Sequence, residues 1–181
     1  MTPTFCSRLH MIQNYCHNVR MRNLSTTLCI TLILFIGNMG MGLSGDFQKG
    51  WDAHKRGDYA TARKEWEILA KQGNVDAQNG LGWMYDKGIG VPQSYEIAVK
   101  WYRVAAKQGD ASAQYNLGIM YENGRGVPKN SKTAVKWYRL AANRGNANAQ
   151  NNLGVMYDKG DGVPQDYITG LKWYELAAKQ G

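Results

Sequence analysis

The sequence predicts an all-α protein built as an array of stacked helix pairs. Three observations carry that prediction. Residues 74–109, 110–145 and 146–181 are three copies of one 36-residue pattern, and a fixed period of that length marks a repeat architecture. Each copy contains two apolar stripes at the 3–4 spacing of amphipathic helices. Each stripe is preceded by a capping residue and followed by glycine at the same place in every copy.

The elements follow in order. Asn74, Asp110 and Asn146 stand where a side chain can accept from the unpaired N–H groups of a first helical turn. The helix behind Asn74 carries Ala77, Leu81, Met84 and Tyr85 on one face. A Gly-x-Gly-Val-Pro loop ends it, spanning Gly88 to Pro92, Gly124 to Pro128 and Gly160 to Pro164. Proline cannot continue a helix, and glycine allows the turn. Ser94, Asn130 and Asp166 cap the second helix, whose first copy carries Ala98, Trp101, Tyr102, Ala105 and Ala106. Gly109, Gly145 and Gly181 are expected to close it as left-handed caps. Gly82, Gly118 and Gly154 lie inside the first helix, where glycine costs about 0.5–1 kcal/mol relative to alanine. Their recurrence predicts close helix contact against Ala105 and Ala106, with Trp101, Trp137 and Trp173 filling the volume between.

This pattern resembles the Sel1-like repeat, a relative of the tetratricopeptide repeat with a longer inter-helix loop. The matching residues are Ala77-Gln78, Leu81-Gly82, Met84-Tyr85, Gly88-x-Gly90-Val91-Pro92, Ala98, Trp101-Tyr102, Ala105-Ala106 and Gly109. All recur in the second copy, and the third departs only in Gly170, which replaces the Ala98 equivalent. The resemblance implies a right-handed α-solenoid whose concave face binds protein. Some secreted members carry a disulfide in each repeat, a feature this sequence lacks. One copy could not fold alone, because an isolated helix pair needs its neighbours to bury its apolar faces.

Residues 46–73 align on the same frame: Gly73 with Gly109, Trp66 with Tyr102, Ala62 with Ala98 and Asp58 with Ser94. The loop is about four residues shorter and lacks Gly-Val-Pro, which predicts a degenerate first helix pair, Phe47–Lys55 and Tyr59–Gln72, as terminal repeats often are. Residues 1–45 read as a leader. Met21-Arg22-Asn23 precedes the apolar run Leu28–Ile36, and Gly42-Leu43-Ser44 fits a small-x-small cleavage site. Translation is expected to start at Met21. The run is shorter than the roughly 20 residues a membrane span needs. An exported, periplasmic or secreted product is therefore expected, with an uncleaved membrane anchor as the alternative. Membrane contact is expected only through the leader, and only if it is not cleaved. All three cysteines (Cys6, Cys16, Cys29) fall in this leader. The last helix is expected to tolerate an exposed apolar face, to be covered by chain continuing past Gly181, or to be capped by a partner.

Net charge is +8, of which the leader supplies +3 through Arg8, Arg20 and Arg22. The other charges alternate in sign, as on a solvated helical surface, and no basic run with interleaved aromatics points to nucleic acid. Catalysis has little to draw on. Beyond the leader there is one histidine, His54, and no cysteine, so neither a nucleophile–base pair nor a His/Cys zinc site is predicted. No cofactor is predicted. The glycine loops follow a helix and lack the Lys-Ser/Thr of phosphate loops, so they read as turns. Asp158 and Asp161 flank the third loop without the further oxygen ligands calcium needs.

The resemblance to tetratricopeptide repeats implies that the first helix of each pair lines the groove. Its positions there are Asp76, Asn79, Trp83 and Asp86, then Ser112, Tyr115, Ile119 and Glu122, then Asn148, Asn151, Val155 and Asp158. Trp83, Ile119 and Val155 would form an apolar column, with core packing between repeats as the competing reading. Asn79, Tyr115 and Asn151 would bond an extended backbone, and Asp86, Glu122 and Asp158 would form an acidic edge. The groove lacks the cationic set that carboxylate-clamp domains use. The expectation is a non-catalytic scaffold for another protein's extended segment. The alternatives are a secreted hydrolase of cell-wall or β-lactam-like substrates and a self-associating structural protein.

Overall fold

Helix capping and glycine turns set the architecture before any packing. In the computed structural model, residues 45–180 are described; residues 1–44 of the leader, with its cysteines and cleavage site, and the cap expected at Gly181 lie outside the described residues. The described residues form eight helices and no strand: α1 Phe47–Lys55, α2 Tyr59–Lys71, α3 Val75–Lys87, α4 Tyr95–Lys107, α5 Ala111–Asn123, α6 Ser131–Asn143, α7 Ala147–Lys159 and α8 Tyr167–Ala178. Each helix packs chiefly on the next in sequence, so the fold is an all-α solenoid of helix pairs.

Local chemistry explains the boundaries. Asn74, Asp110 and Asn146 accept from the backbone N–H of Ala77, Ala113 and Ala149 at 2.8, 2.6 and 2.8 Å. Gly88, Gly124 and Gly160 end α3, α5 and α7 in the left-handed region, with φ of 69, 70 and 72°. The loop then closes on its own helix, because Ser94, Asn130 and Asp166 donate backbone N–H to the carbonyls of Tyr85, Tyr121 and Tyr157. The second glycine of each loop has another task. A Cβ on Gly90 would lie 2.3 Å from Tyr59 Cβ, and on Gly126 or Gly162 it would lie 2.4–2.5 Å from the backbone of Tyr95 or Ser131. The loop of each repeat therefore rests on the start of the preceding repeat's second helix.

The core differs from the expectation in one respect. Gly82, Gly118 and Gly154 do not face the alanines; a Cβ on each would come within 2.5–2.6 Å of the ring of Tyr102, Tyr138 or Tyr174. The tyrosine fills the space inside each pair, and Tyr102 and Tyr138 are buried. The adjacent Trp101, Trp137 and Trp173 are half-buried instead, each packed on the cluster formed with the preceding repeat. The two positions are successive on a helix, about 100° apart, so one points into the pair and the other toward the neighbour.

A buried glutamine links consecutive repeats. Gln78, Gln114 and Gln150 donate Nε2–H to the carbonyls of Ala70, Ala106 and Ala142, each at 3.1 Å. These carbonyls lie in the last turn of the preceding helix, where intrahelical partners run out. Gln108 and Gln180 in turn donate to the Oε1 of Gln78 and Gln150 at 2.7 and 2.8 Å. The middle repeat has Arg144 at that place, and Gln114 Oε1 is buried with no hydrogen-bond partner among the described residues.

Candidate functional site

The twelve residues expected in the groove lie on α3, α5 and α7 and fall into four rows. Asp76, Ser112 and Asn148 are exposed. In the second row Asn79 and Tyr115 are half-buried and Asn151 is exposed. Asn79 Oδ1 accepts from Asn116 Nδ2 at 3.3 Å. Tyr115 lies near Asn152 in the next repeat, and its ring centroid lies 5.9 Å from that of Tyr138. The third row, Trp83, Ile119 and Val155, is half-buried. Trp83 touches two core clusters and Ile119 one, while each keeps a solvent face.

The fourth row turns inward. Tyr138 donates its hydroxyl to Glu122 Oε2 at 2.5 Å, and Tyr174 donates to Asp158 Oδ2 at 3.0 Å. Asp86 is buried beside Tyr102, with Lys87 Nζ 2.9 Å from its Oδ2. Burial pushes the Tyr102 and Tyr138 phenols far above their ordinary range, and the neighbouring carboxylates push the same way. These carboxylates act first as acceptors and neighbours for the tyrosines of their own repeat. Gly170 fits the same arrangement: a Cβ there would meet Asp158 Oδ1 at 2.6 Å.

Three of the twelve meet at a cavity of ≈ 430 Å³. Asp76, Asn79 and Trp83 line it from α3, together with Gly80; Phe47, Trp51 and His54 line it from α1, Trp66 from α2 and Asn116 from α5. Trp66 is its buried floor, held between Gly50 and Gly80, where a Cβ would lie 2.5 Å and 3.1 Å from the indole. His54 sits among rings, 5.1 Å from Trp83 edge-on, 5.4 Å from Tyr59, 5.5 Å from Trp51 and 5.9 Å from Trp66. Its Nδ1 is buried without a hydrogen-bond partner among the described residues. Asp76 makes its charge felt on Asp110, whose carboxyl is raised mainly by burial and further by Asp76.

Sequence reasoning did not assign Phe47, Trp51 and His54 to a site. The signal was present: a spacing of four and then three places all three on one face of α1. Among the described residues no group of three or more His, Cys, Asp and Glu side chains could hold a metal ion, and no helix is long and apolar enough to cross a membrane.

The Sel1 repeat model matches residues 75–110, 111–146 and 147–181. The chain belongs to the Sel1 repeat family. Sel1 repeat proteins are generally protein-interaction scaffolds and typically non-catalytic. A Sel1 repeat protein from Oxalobacter formigenes is 42% identical over 75% of this chain and 56% of its own, with a TM-score of 0.72. The protective antigen c5321 of uropathogenic Escherichia coli, described as displaying an SLR fold, is 39% identical over 76% of this chain and 31% of its own, with a TM-score of 0.70. This chain thus spans about half the length of the first and a third of the second. Helicobacter pylori cysteine rich protein B, at 22% identity and a TM-score of 0.52, shares the fold. No curated protein matches the chain.

Proposed function

We propose that this Sel1 repeat protein is an exported, non-catalytic scaffold that holds an extended segment of another protein along α3, α5 and α7. One observation carries the reading: a cavity opens where these first helices meet α1, and three of the expected groove residues, Asp76, Asn79 and Trp83, line it. The exposed rows beyond it supply polar groups able to pair with an extended backbone, as Ser112, Asn148 and Asn151 do not pack in the core. Export rests on the leader pattern of residues 1–45.

Affinity capture with residues 46–181, followed by mass spectrometry, tests this when run beside the triple variant Ser112→Arg, Asn148→Arg, Asn151→Arg. All three sites are exposed, so the fold should tolerate the change. The partner should disappear from the variant's capture while its melting temperature holds. Equal capture by both proteins would refute the groove. Trp83→Ala and Ile119→Ala add a second reading: a sharp loss of stability without loss of capture would make them core residues.

A second reading, self-association, would use α8, whose apolar face can take a second copy where no further repeat covers it. Tyr167, Ile168, Leu171 and Leu176 are 65, 70, 57 and 43% exposed, whereas Val99 and Val135, which occupy the place of Leu171, are 2% exposed beneath the following repeat. A molar mass that stays constant across a light-scattering concentration series would discard it.

A further inference from the structure

The cavity between α1 and α3 has an unusual lining for a basic protein. The chain carries +8 net charge, yet no Lys or Arg lines the cavity and one carboxylate, Asp76, does. Asp76 is exposed and has no ion pair among the described residues. Around it stand aromatic faces: Trp51 and Trp66 stack at 6.4 Å and Phe47 and Trp66 at 5.9 Å. Asn79 and Asn116 complete the polar side.

An anion and a plain apolar side chain both fit this lining poorly. An anion would meet a carboxylate and the negative faces of indole rings. A plain apolar side chain would cover Asp76 and the asparagines without pairing them, which costs free energy. A cation is drawn by both the rings and the carboxylate. Between the two protein cations, the ammonium of lysine is compact and strongly hydrated. The guanidinium of arginine is flat, weakly hydrated, stacks on aromatic faces and offers a fork of donors to a carboxylate. The volume, ≈ 430 Å³, is near the lower end of ordinary ligand sites, roughly 300–1,000 Å³.

We propose that this cavity is the arginine-recognition pocket of the scaffold, with Trp51 and Trp83 contacting the guanidinium faces and Asp76 pairing with its edge. The inference deepens the peptide-binding reading and rests on it for the source of the arginine. It gives the bound segment a required residue and fixes that residue at the α1–α3 end.

The test uses Nα-acetyl-arginine amide as the probe, with the isosteric neutral Nα-acetyl-citrulline amide and Nα-acetyl-lysine amide as controls. Indole N–H signals of ¹⁵N-labelled protein report the site. Trp51, Trp66 and Trp83 signals should move with arginine amide, saturating with a Kd of about 1 mM for so small a ligand. Citrulline amide should leave them in place, and lysine amide should bind at least about threefold more weakly. Asp76→Asn, checked for folding by circular dichroism, should weaken arginine amide at least about tenfold, as loss of a charged hydrogen bond does. Shifts of equal size with citrulline, equal binding of lysine amide, or no change in Asp76→Asn would each overturn the assignment. Ser112, Asn148 and Asn151 do not line the cavity, so this failure is separate from failure of the groove, which the triple arginine variant reads.

Discussion

Gly118→Ala is predicted to destabilise the protein, against the usual rule for helices. In an exposed helix interior this change stabilises by about 1 kcal/mol. Here the added Cβ would lie 2.5 Å from two carbons of the Tyr138 ring, about 1 Å inside ordinary carbon contact. The ring cannot retreat easily. Tyr138 is fully buried beneath α7, and its hydroxyl is tied to Glu122. Overpacking of this kind costs about 1–3 kcal/mol, and breaking the bond to a carboxylate adds about 1.5–3 kcal/mol. The net loss should be about 1.5–5 kcal/mol, which lowers a urea midpoint by about 0.8–2.5 M at a slope of about 2 kcal/mol/M. Gly154→Ala is the internal control. Its Cβ would lie equally close, 2.6 Å, to the Tyr174 ring, but Tyr174 is only half-buried and can swing outward. That variant should lie within about 0.3 M of the parent. Urea unfolding followed by circular dichroism decides the matter. A parent-like or raised midpoint for Gly118→Ala, or equal losses in both variants, would refute the account of why these glycines recur.

The remaining predictions use the same repeat-against-repeat logic. Gly126→Ala should cost at least about 2 kcal/mol, since φ is 66° and a Cβ would lie 2.4 Å from the Tyr95 backbone; Gly145→Ala, at φ 84° with nothing within 4 Å, should cost about 1 kcal/mol, both read by urea unfolding. Arg144→Gln should stabilise by about 0.5–1.5 kcal/mol by giving Gln114 Oε1 the donor that Gln108 and Gln180 give their partners, which the same assay reads. Asp110→Asn should raise the melting temperature at pH 7 by about 1–2 °C. The sign follows from the raised carboxyl of Asp110: a carboxyl raised on folding favours the fold most when protonated and loses that contribution as pH rises through its folded value. The advantage of asparagine should therefore close as a melting series is taken down towards pH 4.

Much of the fold was legible because its determinants are local. A capping side chain reaches three residues ahead, and a left-handed glycine acts on its own turn, so Asn74, Asp110, Gly88 and Gly124 could be placed without knowledge of packing. The exchange of roles between Trp101 and Tyr102 was not legible. Both are large and aromatic, and a small error in the phase of an apolar stripe swaps the face within the pair for the face between pairs. Gln78 stood in the motif, but its role depends on where the last carbonyls of α2 arrive, which only the crossing of two helices decides. The cavity was hidden for a related reason. It is assembled from α1, α2, α3 and α5, and no single stripe contains it.

The three copies also separate structural from variable positions within one chain. The glycine–tyrosine contact, the buried glutamine and the loop glycines are the same in all three, because each serves a contact that every repeat must make. Positions 76, 112 and 148 are Asp, Ser and Asn, and positions 83, 119 and 155 are Trp, Ile and Val. These rows keep a solvent face, so the solenoid leaves them free to differ. Their differences run in one direction: charge and ring area are greatest on α3 and decline to small neutral side chains on α7. The preceding pair extends the trend, since Phe47, Trp51 and His54 add rings at the α3 end. A segment lying across these rows therefore meets unlike ends, and the aromatic, carboxylate-bearing end has the chemistry to set which way it lies. Reversing the segment would place its cationic residue beside Val155 and Asn148, where neither an aromatic face nor a free carboxylate is available in those two rows.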